Sequence, residues 1–295
     1  MPAHILVTGA QGYIGQQFCQ RYGQQAEITP ASLRQTPIDQ INFQTVDCVL
    51  HLSARVHSTT ADDAEHHRIN CEQSLALARA AKDAGVKQFV FFSTMAVYGS
   101  HGSLADSGPL TEFSECQPST AYGRSKYEAE QGLKKLSDAD FNIAIIRPPM
   151  VYGAGCPGNM ARLQKLVTQL PLLPFRYSSN RRSIVSIENL LTITWEVIQQ
   201  QASGIFLPQD PAPISIQSLV EQLMQAQHVK PPLLPVPQWL LKALFKLSPR
   251  QICSLYGSLY YDSRHTEQQL QLPPLQTTAQ GIHGMCTPGK HETRT

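Results

Sequence analysis

The run Thr8-Gly9-Ala10-Gln11-Gly12-Tyr13-Ile14-Gly15 follows the apolar stretch His4-Ile5-Leu6-Val7 and precedes a segment able to form a helix. A strand, a glycine turn and a helix, in that order, constrain the fold more than any other feature of the chain. Glycines permit the tight turn and let a ligand approach the backbone closely. The helix amino terminus offers unpaired N–H groups and the positive end of its dipole. That is the arrangement a dinucleotide pyrophosphate requires. Gly9, Gly12, Tyr13, Ile14 and Gly15 are therefore candidate cofactor contacts.

Four short, near-continuously apolar runs, residues 4–8, 48–52, 88–93 and 142–146, read as strands buried on both faces. Helical patterns lie between them. One runs from Arg68 to Ala84 with Gly85 as its cap, and another from Ala121 to Leu136 with Ser119 or Thr120 at its start. The alternation predicts an α/β fold: a Rossmann-like doubly wound parallel sheet with right-handed crossovers and a smaller carboxy-terminal substrate-binding part. The chain between Gly15 and Cys48 is short for two strand–helix units, so one unit there is abbreviated. After Pro148 prolines and glycines multiply and the alternation fades. We expect an NAD(P)-binding domain over residues 1–150, to which part of 182–205 returns, a mainly substrate-binding part over 151–283, and a frayed tail over 284–295. The apolar segment Trp239 to Leu247 reads as a lid or second-domain helix, with a membrane-surface helix as the alternative.

A net charge of +2 without a basic run argues against nucleic acid as a partner. The longest apolar stretches, such as Phe89 to Tyr98, fall short of the roughly 20 residues of a spanning helix. A strand starting at His4 leaves no room for a signal peptide, and the seven scattered cysteines form no CxxC pair. Both point to reduced thiols in a cytoplasmic protein. His57, His66 and His67 lie among Asp62, Asp63 and Glu65 in a spacing that fits no standard metal pattern, so this segment reads as a solvated loop and no metal is expected.

Tyr122 and Lys126 stand at i and i+4, on one face of the expected helix. A free phenol titrates near ~10. A neighbouring ammonium and the positive ring of an oxidised nicotinamide would pull that value down, into the range where tyrosine works as an acid or base. Ser93 and Thr94 end the 88–93 run, where ligands of such sheets bind. Arg147-Pro148-Pro149 closes the next strand, and its prolines free backbone groups to face a cofactor.

With these residues in view the chain resembles the extended short-chain dehydrogenase/reductases, and within them the NAD-dependent epimerase/dehydratase family of nucleotide-sugar enzymes. Gly9, Gly12 and Gly15 match the family's GxxGxxG, and His51-Leu52-Ser53-Ala54 is similar to its HLAA segment. Asn70 matches the asparagine of NVxGT. Thr94, Tyr122 and Lys126 match the catalytic Ser/Thr, Tyr and Lys. The run from Arg181 to Asn189 resembles the family's RxxIHVDD-type segment, whose arginine contacts the substrate diphosphate, and Tyr261-Asp262-Ser263 resembles a late segment. The resemblance implies catalysis by Thr94, Tyr122 and Lys126. It implies cofactor contacts from Leu52, Ser53, Ala54, Ser93, Pro148 and Val151 beside the glycine turn, Tyr122 and Lys126. It places substrate against Thr94, Tyr122, Asn159 and Arg182.

Two departures narrow the reading. Dehydratases of the family carry Asp-Glu after the catalytic threonine, whereas Met95 and Ala96 stand here and transfer no protons. An acidic residue usually ends the second strand to hold the ribose 2′-hydroxyl of NAD. That strand, taken as 28–33, ends here in Arg34, which would suit the 2′-phosphate of NADP. NAD or NADP is thus implied, with NADP favoured. The whole pattern resembles a bacterial subgroup of UDP-sugar C4 enzymes of surface-polysaccharide synthesis, epimerases and 4-keto-reductases alike. A UDP-sugar substrate and a homodimer through the Tyr122 helix follow from the resemblance. The alternatives are a reductase of non-sugar ketones and a non-catalytic NADP-binding regulator.

Overall fold

The computed structural model describes residues 3–56, 63–99, 102–105 and 107–287. The chain begins β1 (His4–Thr8), α1 (Tyr13–Tyr22), β2 (Glu27–Ala31), β3 (Cys48–His51), α2 (Asp63–His67), α3 (Gln73–Asp83), β4 (Gln88–Phe92), α4 (Ala121–Lys134) and β5 (Asn142–Ile146). It continues β6 (Met150–Tyr152), α5 (Asn159–Gln169), β7 (Leu173–Arg176), β8 (Ile184–Ser186), α6 (Ile187–Gln199), β9 (Gly204–Phe206), α7 (Ile216–Ala226) and β10 (Leu233–Pro235). Four helices close it: α8 (Gln238–Leu247), α9 (Pro249–Tyr256), α10 (Arg264–Gln269) and α11 (Thr278–Cys286).

Six parallel strands make the central sheet, in the order β2-β1-β3-β4-β5-β9. Side chains alternate across it. Ile5, Val7, Leu50, Val90 and Ile146 pack on Phe18 of α1 and on Leu190, Ile193 and Val197 of α6. Leu6, Val49, Phe89, Phe91 and Ile145 pack on Leu77 and Ala81 of α3 and on Ala129 and Leu133 of α4. Helices thus cover both faces, which is why these strands are apolar throughout. A separate core forms around Tyr152, Leu163, Phe175, Ile214 and Leu219, where the short pairs β6–β8 and β7–β10 meet α5 and α7.

The abbreviated unit lies between β2 and β3. Only one turn of 3-10 helix, Ile38–Gln40, stands in that crossover, and β2 is left as the edge of the sheet. The edge position accommodates Pro30, which has no N–H to give to a further strand. β2 also ends at Ala31, two residues earlier than the sequence suggests, so Arg34 lies in the exposed turn beyond it.

The helix expected from Arg68 starts earlier, at Asp63, and is widened by a π turn over Arg68–Glu72 before α3. His66 and His67 are consequently helical, and His66 is buried, where a solvated loop was expected. His57 and Asp62 lie outside the described residues. Gly85 follows α3 at φ 86°, the left-handed turn that favours glycine. Gly284 lies inside α11, not in a frayed tail, and residues 288–295 are outside the described set. No helix among the described residues is long and apolar enough to cross a membrane.

Candidate active site

From β1 the chain steps to β2 on one side and then returns to β3 on the other, so the topological switch point lies between β1 and β3. Ligands of open α/β sheets bind at the carboxyl ends of the strands there. The glycine turn occupies that place. Gly9 has φ 73°, and a Cβ on it would stand 2.7 Å from the Ser53 backbone nitrogen. A Cβ on Gly15 would stand 2.4 Å from the Gly9 carbonyl oxygen. The Leu52 N–H donates to the Thr8 carbonyl at 3.1 Å, locking the segment after β3 to the turn. Gly9, Gly12, Gly15, Leu52 and Ser53 are thus brought together as the sequence requires.

Gly12 begins α1 with no side-chain cap and no acidic residue in the first turn. The first N–H groups of the helix therefore lack the usual intrahelical partners at a site a phosphate can reach. The cradle fits a dinucleotide: the pyrophosphate would lie against the backbone of residues 13–15. Tyr13 contributes differently from a plain turn residue. Its hydroxyl is buried without a hydrogen-bond partner among the described residues, and burial together with Cys156 and Glu188 raises its pKa. Ile14 packs against the sheet core.

The second group assembles at the end of β4. Thr94 caps a 3-10 turn, Met95–Tyr98, by accepting the Ala96 N–H at 3.1 Å. Thr120, not Ser119, caps α4 by accepting the Gly123 N–H at 3.0 Å, while the Ser119 hydroxyl donates to the Gly99 carbonyl. Gly123 lets α4 approach the 3-10 turn, since a Cβ there would stand 2.9 Å from the Ala96 carbonyl oxygen. This contact brings Tyr122 to Thr94. Burial pushes the Tyr122 phenol up to about 12, and hydrogen bonding with the Thr94 hydroxyl opposes the rise. The Lys126 ammonium donates to the Phe92 carbonyl at 2.7 Å and lies 4.3 Å from the Phe91 ring centroid. Burial pushes Lys126 itself down to about 7, against the pull of Glu130. For both groups desolvation is the largest effect.

Ser93 does not present its hydroxyl to the crevice. It is buried and donates to Glu130. Glu130 also accepts from Arg147 Nε at 3.0 Å and Nη2 at 2.5 Å, and Arg147 Nη1 donates to the Tyr98 hydroxyl at 2.7 Å. The Tyr261 hydroxyl donates to the Arg147 carbonyl at 2.8 Å. This buried ion pair ties α4 to the ends of β4 and β5 and was not legible from sequence; a charge within otherwise apolar neighbours was its only sign. Backbone groups after β5 are not free either, since the Pro148 carbonyl accepts the Met95 N–H at 3.0 Å and Val151 pairs with Val185 in β6–β8.

A line of buried polar groups joins the two halves of the site. The Ser74 hydroxyl donates to the Asn70 carbonyl, so it accepts from His51 Nε2 at 2.8 Å. His51 Nδ1 then accepts from the Thr8 hydroxyl at 2.6 Å. Burial, and then the Lys126 charge, push His51 down to about 3, which keeps it neutral in this role. Asn70 Nδ2 donates to the Ser125 hydroxyl at 3.1 Å, and Ser125 donates to the Tyr122 carbonyl at 3.0 Å. Asn70 also accepts the Arg55 N–H at 2.8 Å, holding the segment that contains Ala54. The glycine turn and the Tyr122 helix are thereby registered through five side chains, those of Thr8, His51, Ser74, Asn70 and Ser125.

The residues expected to meet substrate are less concentrated. Asn159 is exposed at the start of α5, after Gly158 at φ 100°. Arg182 Nη1 donates to the carbonyls of Cys253 and Gly257 at 3.1 and 2.9 Å, capping the carboxyl end of α9. Burial lowers its pKa to about 10. Arg181 lies over the Tyr260 ring at 4.6 Å. Outside this site, His67 Nδ1 meets Glu128 at 2.6 Å, and with Cys71 their ligand atoms lie within 4.8 Å of one another. The sequence grouped His67 with its neighbours in the chain; the π turn and α4 supply different ones.

The profile of the NAD dependent epimerase/dehydratase family matches residues 5–206, from β1 through β9. The chain belongs to that family. It is 32% identical over 310 residues to the UDP-glucose 4-epimerase of Vibrio cholerae, covering 96% of this chain and 94% of that one. Its fold is similar to that of the UDP-N-acetylglucosamine 4-epimerase from Bacillus cereus, with TM-score 0.75, 20% identity and coverage of 96% and 98%. It is also similar to dTDP-4-dehydrorhamnose reductase from Bacillus anthracis, solved with NADP, with TM-score 0.72, 18% identity and coverage of 97% and 99%. As a family member the protein is an enzyme with a nicotinamide cofactor.

Proposed function

We propose that this protein is a cytoplasmic NAD(P)-dependent oxidoreductase acting at C4 of a UDP-hexose, as a 4-epimerase or a 4-keto-sugar reductase in surface-polysaccharide precursor synthesis. The observation that carries it is the meeting of Thr94 and Tyr122 at the carboxyl end of β4, with Lys126 anchored one helical turn away on the Phe92 carbonyl. The full-length relative in Vibrio cholerae, a UDP-glucose 4-epimerase, supports the substrate class. NAD(P) bound on the glycine turn would supply hydride exchange at the sugar carbon.

In this reading the Thr94 hydroxyl orients the C4 oxygen, and Tyr122 holds and moves the proton on that oxygen. Burial keeps the Tyr122 phenol protonated at neutral pH, as a group that donates to a ketone oxygen requires. Two further features agree. No carboxylate ends β2, where Ala31 and Ser32 stand, and Arg34 follows in the turn, as suits NADP. Met95 and Ala96, beside Thr94, offer no acid or base for removing water, so a 4,6-dehydratase is disfavoured.

The test is Tyr122→Phe. Turnover of a UDP-4-keto-hexose with NADPH should fall at least ~100-fold, with UDP and NADPH still raising the melting temperature. A variant within a few-fold of wild type overturns the assignment, and a wild-type protein not stabilised by UDP overturns the substrate class.

A further inference from the structure

We propose that α8 docks the protein flat on an anionic phospholipid surface. The inference rests on α8 and its flanks, not on the reaction assigned to the site.

Only Leu241 of the ten residues of α8 is buried, in the core around Leu163 and Phe175, and Leu240 is partly buried. On the opposite side Trp239, Ala243 and Leu247 recur at i, i+4 and i+8. Trp239 is 69% and Leu247 81% exposed. Lys242 and Lys246, also i and i+4, run beside that stripe and are exposed. Leu244 and Phe245, at i+3 and i+4 from Leu241, lie on the side of the helix nearer the protein and are 36% and 39% exposed. An apolar stripe turned away from the protein and edged by lysines cannot be explained by the core it belongs to. It matches a helix that lies in the headgroup layer: tryptophan and leucine enter the acyl boundary while lysine ammoniums stay with the phosphates.

Charge selects the occupant. From Gln222 to Tyr261 the chain carries Lys230, Lys242, Lys246 and Arg250 and not one Asp or Glu. A second copy of this surface would set lysines against lysines with no acid to pair them, which is repulsive. A negatively charged lipid layer is complementary to it. A helix of this length spans about 15 Å, enough to lie on a bilayer and too short to cross one. α9 continues directly from α8, and its carboxyl-end carbonyls are held by Arg182. The docking helix is therefore coupled to the substrate-binding part through Leu241, through Tyr256 of α9 and through the Arg182 guanidinium.

The experiment is flotation of the full-length protein with vesicles of phosphatidylcholine and phosphatidylglycerol in equal parts, against pure phosphatidylcholine. Bound protein should be at least ~10-fold greater on the anionic vesicles at low salt and fall as salt screens the charges. Tryptophan emission should shift to the blue on those vesicles in wild type but not in Trp239→Phe. The double change Trp239→Ser with Leu247→Ser should abolish flotation, and Lys242→Gln with Lys246→Gln should remove the preference for phosphatidylglycerol. All these side chains are exposed, and an unchanged melting temperature shows that each variant is folded. Wild type that fails to float with the anionic vesicles overturns the proposal. So does a Trp239→Ser, Leu247→Ser variant that floats as wild type does. A dimer that this double variant splits into monomers assigns the face to self-association and equally overturns it.

Discussion

Glu130 is the residue whose loss should reveal most about how this site is held. It is fully buried against Arg147, which is 1% exposed, and it accepts two guanidinium N–H bonds and the Ser93 hydroxyl. Glu130→Gln leaves a buried cation without its counter-charge. Breaking such a pair costs about 3–5 kcal/mol, with an amide that keeps one acceptor near the lower bound. Unfolding entropy of about 2.1 cal/mol/K per residue, over 295 residues, makes that loss ~5–8 °C in melting temperature. Removing both partners should be milder than removing one, because the desolvation of Arg147 disappears with the pair. Glu130→Leu with Arg147→Met should therefore recover most of the deficit of Glu130→Gln. Thermal and urea unfolding of the wild type, each single variant and the double variant close the cycle. A Glu130→Gln protein melting within ~1 °C of wild type, or a double variant no better than the single, would refute the argument.

Three other outcomes follow from the same geometry. Gly15→Ala drives a methyl to 2.4 Å from the Gly9 carbonyl oxygen, so it should cost about 1–3 kcal/mol and weaken stabilisation by NADPH, read by thermal shift. Arg34→Glu should reduce the preference for NADPH over NADH at least tenfold in kcat/KM, with no change of preference if Arg34 stays clear of the cofactor. Lys126 is held at about 7 in the folded chain against ~10.4 unfolded, so between those values the unfolded state binds more protons and stability rises with pH. Wild type should accordingly gain about 2 kcal/mol relative to Lys126→Met from pH 7 to pH 9, measured by urea unfolding at each pH.

The sequence by itself determined the elements whose signal is local. Apolar runs placed β1, β3, β4 and β5, because a strand covered on both faces must be apolar throughout. The glycine turn was fixed by residues 9–15, because only glycine tolerates the left-handed Gly9 and the approach of Gly15 to it. The i, i+4 spacing put Tyr122 and Lys126 on one helix face, and the short stretch before Cys48 announced the abbreviated unit between β2 and β3. Tertiary structure alone decided what those groups experience. Burial, invisible in a residue string, raises the Tyr122 phenol, and the fold sets Lys126 on the Phe92 carbonyl. It also paired Glu130 with Arg147 across 17 residues, joined Thr8 to Ser125 through His51, Ser74 and Asn70, and turned Arg182 toward the end of α9. Each of these depends on which distant segments exclude water together, and a pair potential between chain neighbours carries no record of that.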